Sequence, residues 1–167
     1  MSMLQIIDRR LLDEVSAQAK ASPRLRKNYN LHASERAPCN RLLNALEPGT
    51  YIMPHSHADP TKDETMFMVR GRLGLLVFDA TGQVVEQVLI EAGGAACAVT
   101  IPHGVVHAAV ALESGTIFFE AKAGPYVPIA AHEKAGWAPA EGTPEATTCV
   151  DRWCRLLARS CGGESKA

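Results

Sequence analysis

An excess of charge of either sign is missing from this chain: across 167 residues, 17 Lys and Arg stand against 18 Asp and Glu. Such a balance sets up no global field to draw in nucleic acid or an anionic membrane, so any electrostatic preference has to be local. Long apolar runs are missing too. None approaches membrane-spanning length, and the N-terminus lacks the basic-then-apolar layout of a secretory signal. A cytoplasmic protein with no nucleic-acid and no membrane partner is expected. Also absent is any C-x-x-C pair: Cys39, Cys97, Cys149, Cys154 and Cys161 are odd in number and scattered. That pattern reads as free thiols in a reducing compartment, not as a disulfide framework or a zinc cluster. No internal repeat longer than a hairpin occurs.

What remains is ordinary for one globular domain, with 47% hydrophobic and 21% charged residues. Residues 9–20 read as a short amphipathic helix capped by Asp8, with Leu11, Leu12, Val15 and Ala19 on one face and Ser22-Pro23 ending it. A polar segment, 24–40, shows no period of either kind. From Arg41 to Lys122 short apolar runs of strand length alternate with turn residues. The runs fall at 41–46, 50–53, 65–69, 73–78, 84–90, 96–101, 105–112 and 116–122. Pro48-Gly49, Asp79 to Gly82, Gly93-Gly94, Pro102 to Gly104 and Glu113 to Gly115 punctuate them. Eight short strands with no helix between them predict an all-β antiparallel sandwich or barrel. The stretch 124–142 should be coil lying on that barrel, held by Tyr126 and Trp137. Thr143-Pro144-Glu145 then opens a C-terminal helix whose apolar stripe is Ala146, Cys149, Val150, Trp153, Leu156 and Leu157, with Gly162-Gly163 as its stop and a disordered tail beyond. The expected division is 1–40 for the helix and polar segment, 41–139 for the barrel, and 140–167 for the last helix and tail.

Two segments carry chemistry. In the first, His55 and His57 are two apart in an extended chain, so their side chains share a face about 6.6 Å apart at the backbone. Imidazoles of that reach can converge on one ion. Glu64 opens the next strand and can return a carboxylate to the same face. In the second, Pro102-His103-Gly104-Val105-Val106-His107 tightens a turn and starts a strand that brings a third imidazole. A His-x-His pair alone is a weak signal. Pair, downstream acid and remote Pro-x-Gly-x-x-His together, in an all-β chain, point to a metal site at His55, His57, Glu64 and His107.

Gly49-x5-His55-x-His57, Glu64-x6-Gly71 and Pro102-x-Gly104-x-x-His107 resemble the two cupin motifs. More narrowly, 24–32, 40–54 and 117–126 resemble the WbuC-type cupin fold metalloproteins found among bacterial surface-polysaccharide genes. The likeness covers residues 8–139. It implies a cupin jelly-roll barrel (a double-stranded β-helix) and one divalent metal at the four named positions. The sequence departs from the cupin pattern in four places. Six residues, Ala58 to Asp63, separate the His pair from the acid, so Asp59 or Asp63 are alternative acids, although the x6-Gly spacing favours Glu64. Ala111 replaces an asparagine, Ser56 stands where a basic residue is expected, and Val106 where an aromatic is.

Three neutral imidazoles and a carboxylate would leave a divalent ion with a charge of about +1 and open coordination positions. Ligand type does not choose among Fe, Mn, Ni, Co and Zn. The function expected is that of a metal-dependent cupin enzyme using the ion as a Lewis acid on a small anionic oxygenated substrate, a sugar or nucleotide-sugar. A non-haem iron dioxygenase and a non-catalytic sensing cupin are the alternatives, and a homodimer is the expected assembly. Candidate substrate-binding residues are Arg24, Arg26, Lys27, Asn28, Asn30 and His32, which crowd the polar segment. Glu120 on the last strand and Lys62 on the loop before Glu64 are the candidate catalytic residues, with Lys122 the charged neighbour of Glu120. Met53, Met66, Phe67 and Phe119 are the expected pocket walls. His103 is expected beside the site or exposed, and His132 on the surface.

Overall fold

The computed structural model describes residues 4–161, with the side chains of the last two left aside, so the predicted Gly162-Gly163 stop, the tail and the Cys161 thiol lie outside the described residues. Helix α1 (Arg9–Ala21) starts where expected: the Asp8 carboxylate accepts the Leu11 amide at 2.9 Å, and Ser22 closes the last turn. Eight strands follow: β1 (Arg26–Asn30), β2 (Cys39–Leu46), β3 (Glu64–Arg70), β4 (Arg72–Phe78), β5 (Val84–Glu91), β6 (Ala98–Ile101), β7 (His107–Ala111) and β8 (Thr116–Ala123). Helix α2 (Pro144–Cys161) completes the order, with Thr143 Oγ1 accepting the Ala146 amide.

The number of strands agrees with the sequence reading, but one member is exchanged. Residues 50–53 are extended without belonging to a sheet, while the polar 24–40 segment contributes β1. Strand β1 has no apolar alternation to reveal it. Its partner supplies the order, through the register Arg26↔Leu46 to Asn30↔Leu42 with β2.

All pairings are antiparallel and make two sheets, β1-β2-β8-β3-β6 and β5-β4-β7. The sheets face each other across a core of Leu46, Met66, Met68, Leu73, Leu75, Ile90, Ile101, Ala109, Ala111 and Phe118. Both outer faces are covered as well. Helix α1 lays Val15 and Ala19 on Leu43, Ala45 and Ile117 of the first sheet. Helix α2 lays Ala146, Val150, Trp153 and Leu157 on Leu76, Phe78, Ala108 and Val110 of the second. Two buried faces explain why β7 has no exposed residue at all. The expected helix stripe therefore docks on its own chain. Trp153 stacks on Tyr51 with ring centroids 5.8 Å apart.

Gly71 passes the chain from β3 to β4 at φ +73°, and a Cβ there would sit 2.7 Å from Thr116 Oγ1, so the motif glycine is required by both conformation and space. The coil 124–142 runs over the barrel with one short 3-10 turn, Ala131–Glu133. Trp137 pins it against Phe78, whereas Tyr126 is 52% exposed and holds the coil through its amide, which donates to Glu35 O at 2.7 Å. No helix among the described residues is long and apolar enough to cross a membrane. Cys39, Cys97, Cys149 and Cys154 are free thiols, as expected.

Candidate metal centre

The segment 54–57 is extended because its backbone is clamped from two sides. His55 and His107 exchange amide hydrogen bonds of 3.1 and 2.9 Å, which aligns the start of β7 with the histidine pair. On the other side the coil closes in: Ser56 N donates to Glu133 O, Ala135 N to Pro54 O, and Ala58 N to the Glu133 carboxylate. Gly104 N donates to His57 O and fixes the turn before His107. Strand phase does the rest. Positions 107, 109 and 111 of β7 face the barrel interior, and so do 64, 66 and 68 of β3.

The outcome is a cluster of His55, His57 and His107 in which one nitrogen from each ring lies within 4.8 Å of the others. Glu64 joins it from β3, with Oε2 2.9 Å from His57 Nε2 and 3.9 Å from His107 Nε2. His55 Nδ1 sits 2.9 Å from Met53 O, and His107 Nδ1 3.0 Å from Val105 O. Each of these two rings therefore donates its Nδ1–H to a carbonyl and presents an unprotonated Nε2 to the cluster, the orientation that metal-binding histidines adopt.

Three observations test whether a metal fits. His107 is 2% exposed, and its Nε2 is buried with no hydrogen-bond partner among the described residues; a neutral residue so placed costs stability unless something else takes its lone pair. Two ligand atoms about 2.1 Å from one ion and at right angles are about 3.0 Å apart, close to the 2.9 Å between His57 Nε2 and Glu64 Oε2. The donor set, three imidazoles and one carboxylate, suits a divalent first-row metal. The residues fit.

Electrostatics keep these groups in their ligating forms. Burial, reinforced by the His107 ring, pushes His55 down to about 4, and burial lowers His107 as well. Burial alone would raise Glu64, but its hydrogen bond with His57, the Lys122 ammonium and the imidazoles together hold it down at about 2. Both alternative acids are engaged elsewhere. Asp59 closes its own turn on Thr61, and Asp63 takes the His103 amide and ring at 2.9 Å. Exposed His103 is thereby tied to Asp63 rather than to the cluster, and His132 is exposed.

The cluster opens into a cavity of about 700 Å³. All six sequence-predicted substrate residues, Arg24, Arg26, Lys27, Asn28, Asn30 and His32, line it, as do Lys62, Glu120 and Lys122. Their partners differ. Arg24 is bidentate to Glu141 at 2.8 and 2.9 Å, and Arg26 spans Glu141 Oε1 and Tyr51 O, both at 2.8 Å. His32 Nδ1 lies on the Arg41 backbone, and Lys62 Nζ donates to Pro125 O at the rim. Glu120 and Lys122 point inward on β8: Lys122 Nζ lies 3.0 Å from Glu120 Oε1, 3.2 Å from His57 Nε2 and 3.4 Å from Glu64 Oε2. Burial and the Glu64 charge raise Glu120, against the pull of Lys122. Burial would lower Lys122, but Glu120 and Glu64 raise it.

Of the expected walls only Met66 lines the cavity. Met53 packs towards α2, Phe119 packs under α1, and Phe67 is 49% exposed. The strand phase of Phe67 and Phe119 is odd where the interior phase of β3 and β8 is even, so Phe118, Leu42 and Leu46 form the wall instead. Asn40 and Asn44 are cavity-lining polar residues that the sequence reading passed over. Both are buried on the inner phase of β2, and Asn44 Nδ2 donates to Glu120 Oε2 at 2.8 Å. Their even spacing with Leu42 and Leu46 was the available signal.

The family whose sequence profile matches residues 7–90 is described as "Domain of unknown function (DUF6016)". Among curated proteins, none matches this chain. Of the solved structures, recombinant oxalate oxidase in complex with glycolate superposes with a TM-score of 0.52 at 16% identity, over 66% of this chain and 57% of that one. The TT1209 protein of Thermus thermophilus gives 0.50 at 22% identity, over 72% of this chain and 97% of its own. The conserved SPY1581 protein of Streptococcus pyogenes gives 0.50 at 14% identity, over 76% and 93%. At such identities the likeness is one of fold, and the two-sheet barrel with its added helices has the cupin fold.

Proposed function

The chain belongs to the DUF6016 family, and from that premise we propose that it is a metal-dependent cupin enzyme acting on a small anionic, oxygen-rich substrate. The observation that carries the metal is the buried Nε2 of His107, without a hydrogen-bond partner among the described residues, within a cluster of three imidazoles and Glu64. Bound there, a divalent ion supplies Lewis acidity to a substrate oxygen. The chain's residues do the remainder. His55, His57, Glu64 and His107 hold the ion, and the barrel walls Leu42, Met66 and Phe118 exclude water from one side of the cavity. Glu120, 9% exposed and raised by burial, is the group able to take or give a proton inside the cavity, with Asn44 and Lys122 fixing its two oxygens.

The substrate class rests on chemistry and resemblance together. The asparagine side chains along β1 and β2 supply donors and acceptors for hydroxyl groups, and the cavity volume of about 700 Å³ accommodates a sugar ring with an attached acidic group. The likeness of 24–32, 40–54 and 117–126 to the WbuC-type cupins supports a sugar or nucleotide-sugar of surface-polysaccharide biosynthesis. Elemental analysis of protein purified without chelator is the test: one divalent metal per chain is expected, and the His55→Ala/His107→Ala double variant should lose it while keeping its fold. Stoichiometric metal retained in that variant refutes the assignment.

A further inference from the structure

Lys122 stands against the two atoms that a metal would need, and it competes with Glu64 for His57 Nε2, which either donates to Glu64 or accepts from Lys122. Its Nζ lies 3.2 Å from His57 Nε2 and 3.4 Å from Glu64 Oε2. The single lone pair of His57 Nε2 cannot serve both an ammonium and a divalent ion, and their like charges repel across a buried site. So the arrival of a metal releases Lys122 from His57, and charge repulsion drives its ammonium away from Glu64. The fold provides for where the ammonium goes. Glu120 Oε1, 3.0 Å away, keeps it on the inner face of β8. Directly across the β2–β8 ladder, in register with Lys122, stands Asn40, which is 4% exposed and whose Oδ1 is buried with no hydrogen-bond partner among the described residues. Both side chains line the cavity. A released Lys122 thus finds one acceptor in Asn40 and turns its remaining donors to the cavity.

The arginines expected to bind an anion are differently disposed. Arg24 and Arg26 are both closed on Glu141. Lys122 is the cation set against the histidine cluster, with Nζ 3.2 Å from His57 Nε2. We propose that Lys122 is the anion-binding residue of this site and that it exchanges partners on metal loading, leaving His57 and Glu64 for Asn40 and for a carboxylate or phosphate oxygen of the ligand. Metal and anionic ligand then bind in order, metal first. The inference rests on the reading that His55, His57, Glu64 and His107 hold a metal.

The full chain, stripped with chelator and reloaded with zinc against a competing indicator, tests it together with the Lys122→Met, Lys122→Gln and Lys122→Arg variants. Removing the competing donor should tighten zinc binding about ten- to a hundredfold in Lys122→Met and Lys122→Gln, the factor corresponding to hydrogen bonds made to charged groups. Calorimetry with glycolate, a two-oxygen hydroxy acid, should show binding to zinc-loaded wild type and none to the metal-free protein. Lys122→Met should weaken glycolate at least about tenfold, while Lys122→Arg retains most of it. Zinc affinity unchanged in both neutral variants overturns the partner exchange, and glycolate affinity unchanged in them overturns the anion role. Absence of zinc binding by the wild type would instead refute the metal assignment. Should the neutral variants fail to fold, nitrogen-detected NMR of the lysine Nζ groups in wild type reads the same event: one protected ammonium signal must shift with one equivalent of zinc, and a static signal overturns the proposal.

Discussion

Gly74 offers a test of how α2 is held, and the magnitude follows from geometry. It lies mid-strand in β4, paired with Leu89 and Val110, and its outward face meets α2. A Cβ at this position would run into Leu157 Cδ1, with Cδ2 at 3.1 Å and Cγ at 3.2 Å. Leu157 is 1% exposed and hemmed by Val150 and Trp153, so it has little room to retreat. At an unstrained position Gly→Ala stabilises by about 0.4–1 kcal/mol through the unfolded chain. Here overpacking reverses the sign, and Gly74→Ala should destabilise by about 1–3 kcal/mol. Leu157→Ala alone should cost about 2–5 kcal/mol. In the double variant the new methyl occupies part of the space the leucine left, so the total should fall short of the sum by about 1 kcal/mol or more. Urea unfolding of the four proteins in chelator, with a constant m-value, measures the coupling. Additivity within about 0.5 kcal/mol, or a Gly74→Ala variant as stable as wild type, would refute the close docking of α2.

Truncation after Gly142 should lower the Tm and promote aggregation, because it uncovers Leu76, Phe78, Val110 and Tyr51; a Tm equal to that of the full chain would contradict this. Acid should weaken the metal-free protein in a defined window. His55 has its folded pKa depressed from 6.5 to about 4, so its neutral form contributes stability that is complete above 6.5 and lost as pH falls through about 4. That loss amounts to up to about 3 kcal/mol. Urea midpoints against pH should show this slope, and His55→Gln should flatten it. Glu64, held at about 2, adds a loss of its own only below its ordinary value of 4.5. Glu141→Gln frees Arg24 at the mouth and loosens Arg26, which keeps its bond to Tyr51 O; the Arg24 pair is too exposed to contribute more than about 1 kcal/mol of stability. The same variant should bind inorganic phosphate more tightly by calorimetry, and weaker binding would contradict the mouth-side placement.

Where a residue's role depends on local period, the sequence was a reliable guide. The Asp8 cap, the α2 stripe ending at Leu157, and the inward pairing of His55 with His57 all follow from spacing two or three to four along the chain. Where the role depends on a partner strand, it was hidden. The run Arg26 to Asn30 has no apolar face and becomes a strand only against Leu42 to Leu46. The phase of β3 and β8 decides that Phe118 and Met66 face the cavity while Phe67 and Phe119 do not, and an aromatic on either phase looks equally suited to a wall. Arg24 and Arg26 appeared free to meet an anion, because Glu141 lies more than a hundred residues away. Alternation alone does not say which way Glu120 and Lys122 face; the register of β8 with β2 and β3 turns both inward.

The clamp on the histidine segment is made almost wholly of main chain. His55 to His107 in both directions, Ser56 to Glu133, Ala135 to Pro54 and Gly104 to His57 are all amide-to-carbonyl bonds. Side-chain identity contributes only through the Glu133 carboxylate on Ala58. Main-chain hydrogen bonds survive most substitutions, whereas the cavity surface of Asn28, Asn40, Leu42 and Phe118 is all side chain. Heritable change can therefore refashion the walls, and with them the choice of ligand, while the three rings keep their places. The barrel works as a fixed socket with interchangeable linings, and a laboratory selection that varied only the inner positions of β1, β2 and β8 would explore new ligands without disturbing the histidine cluster.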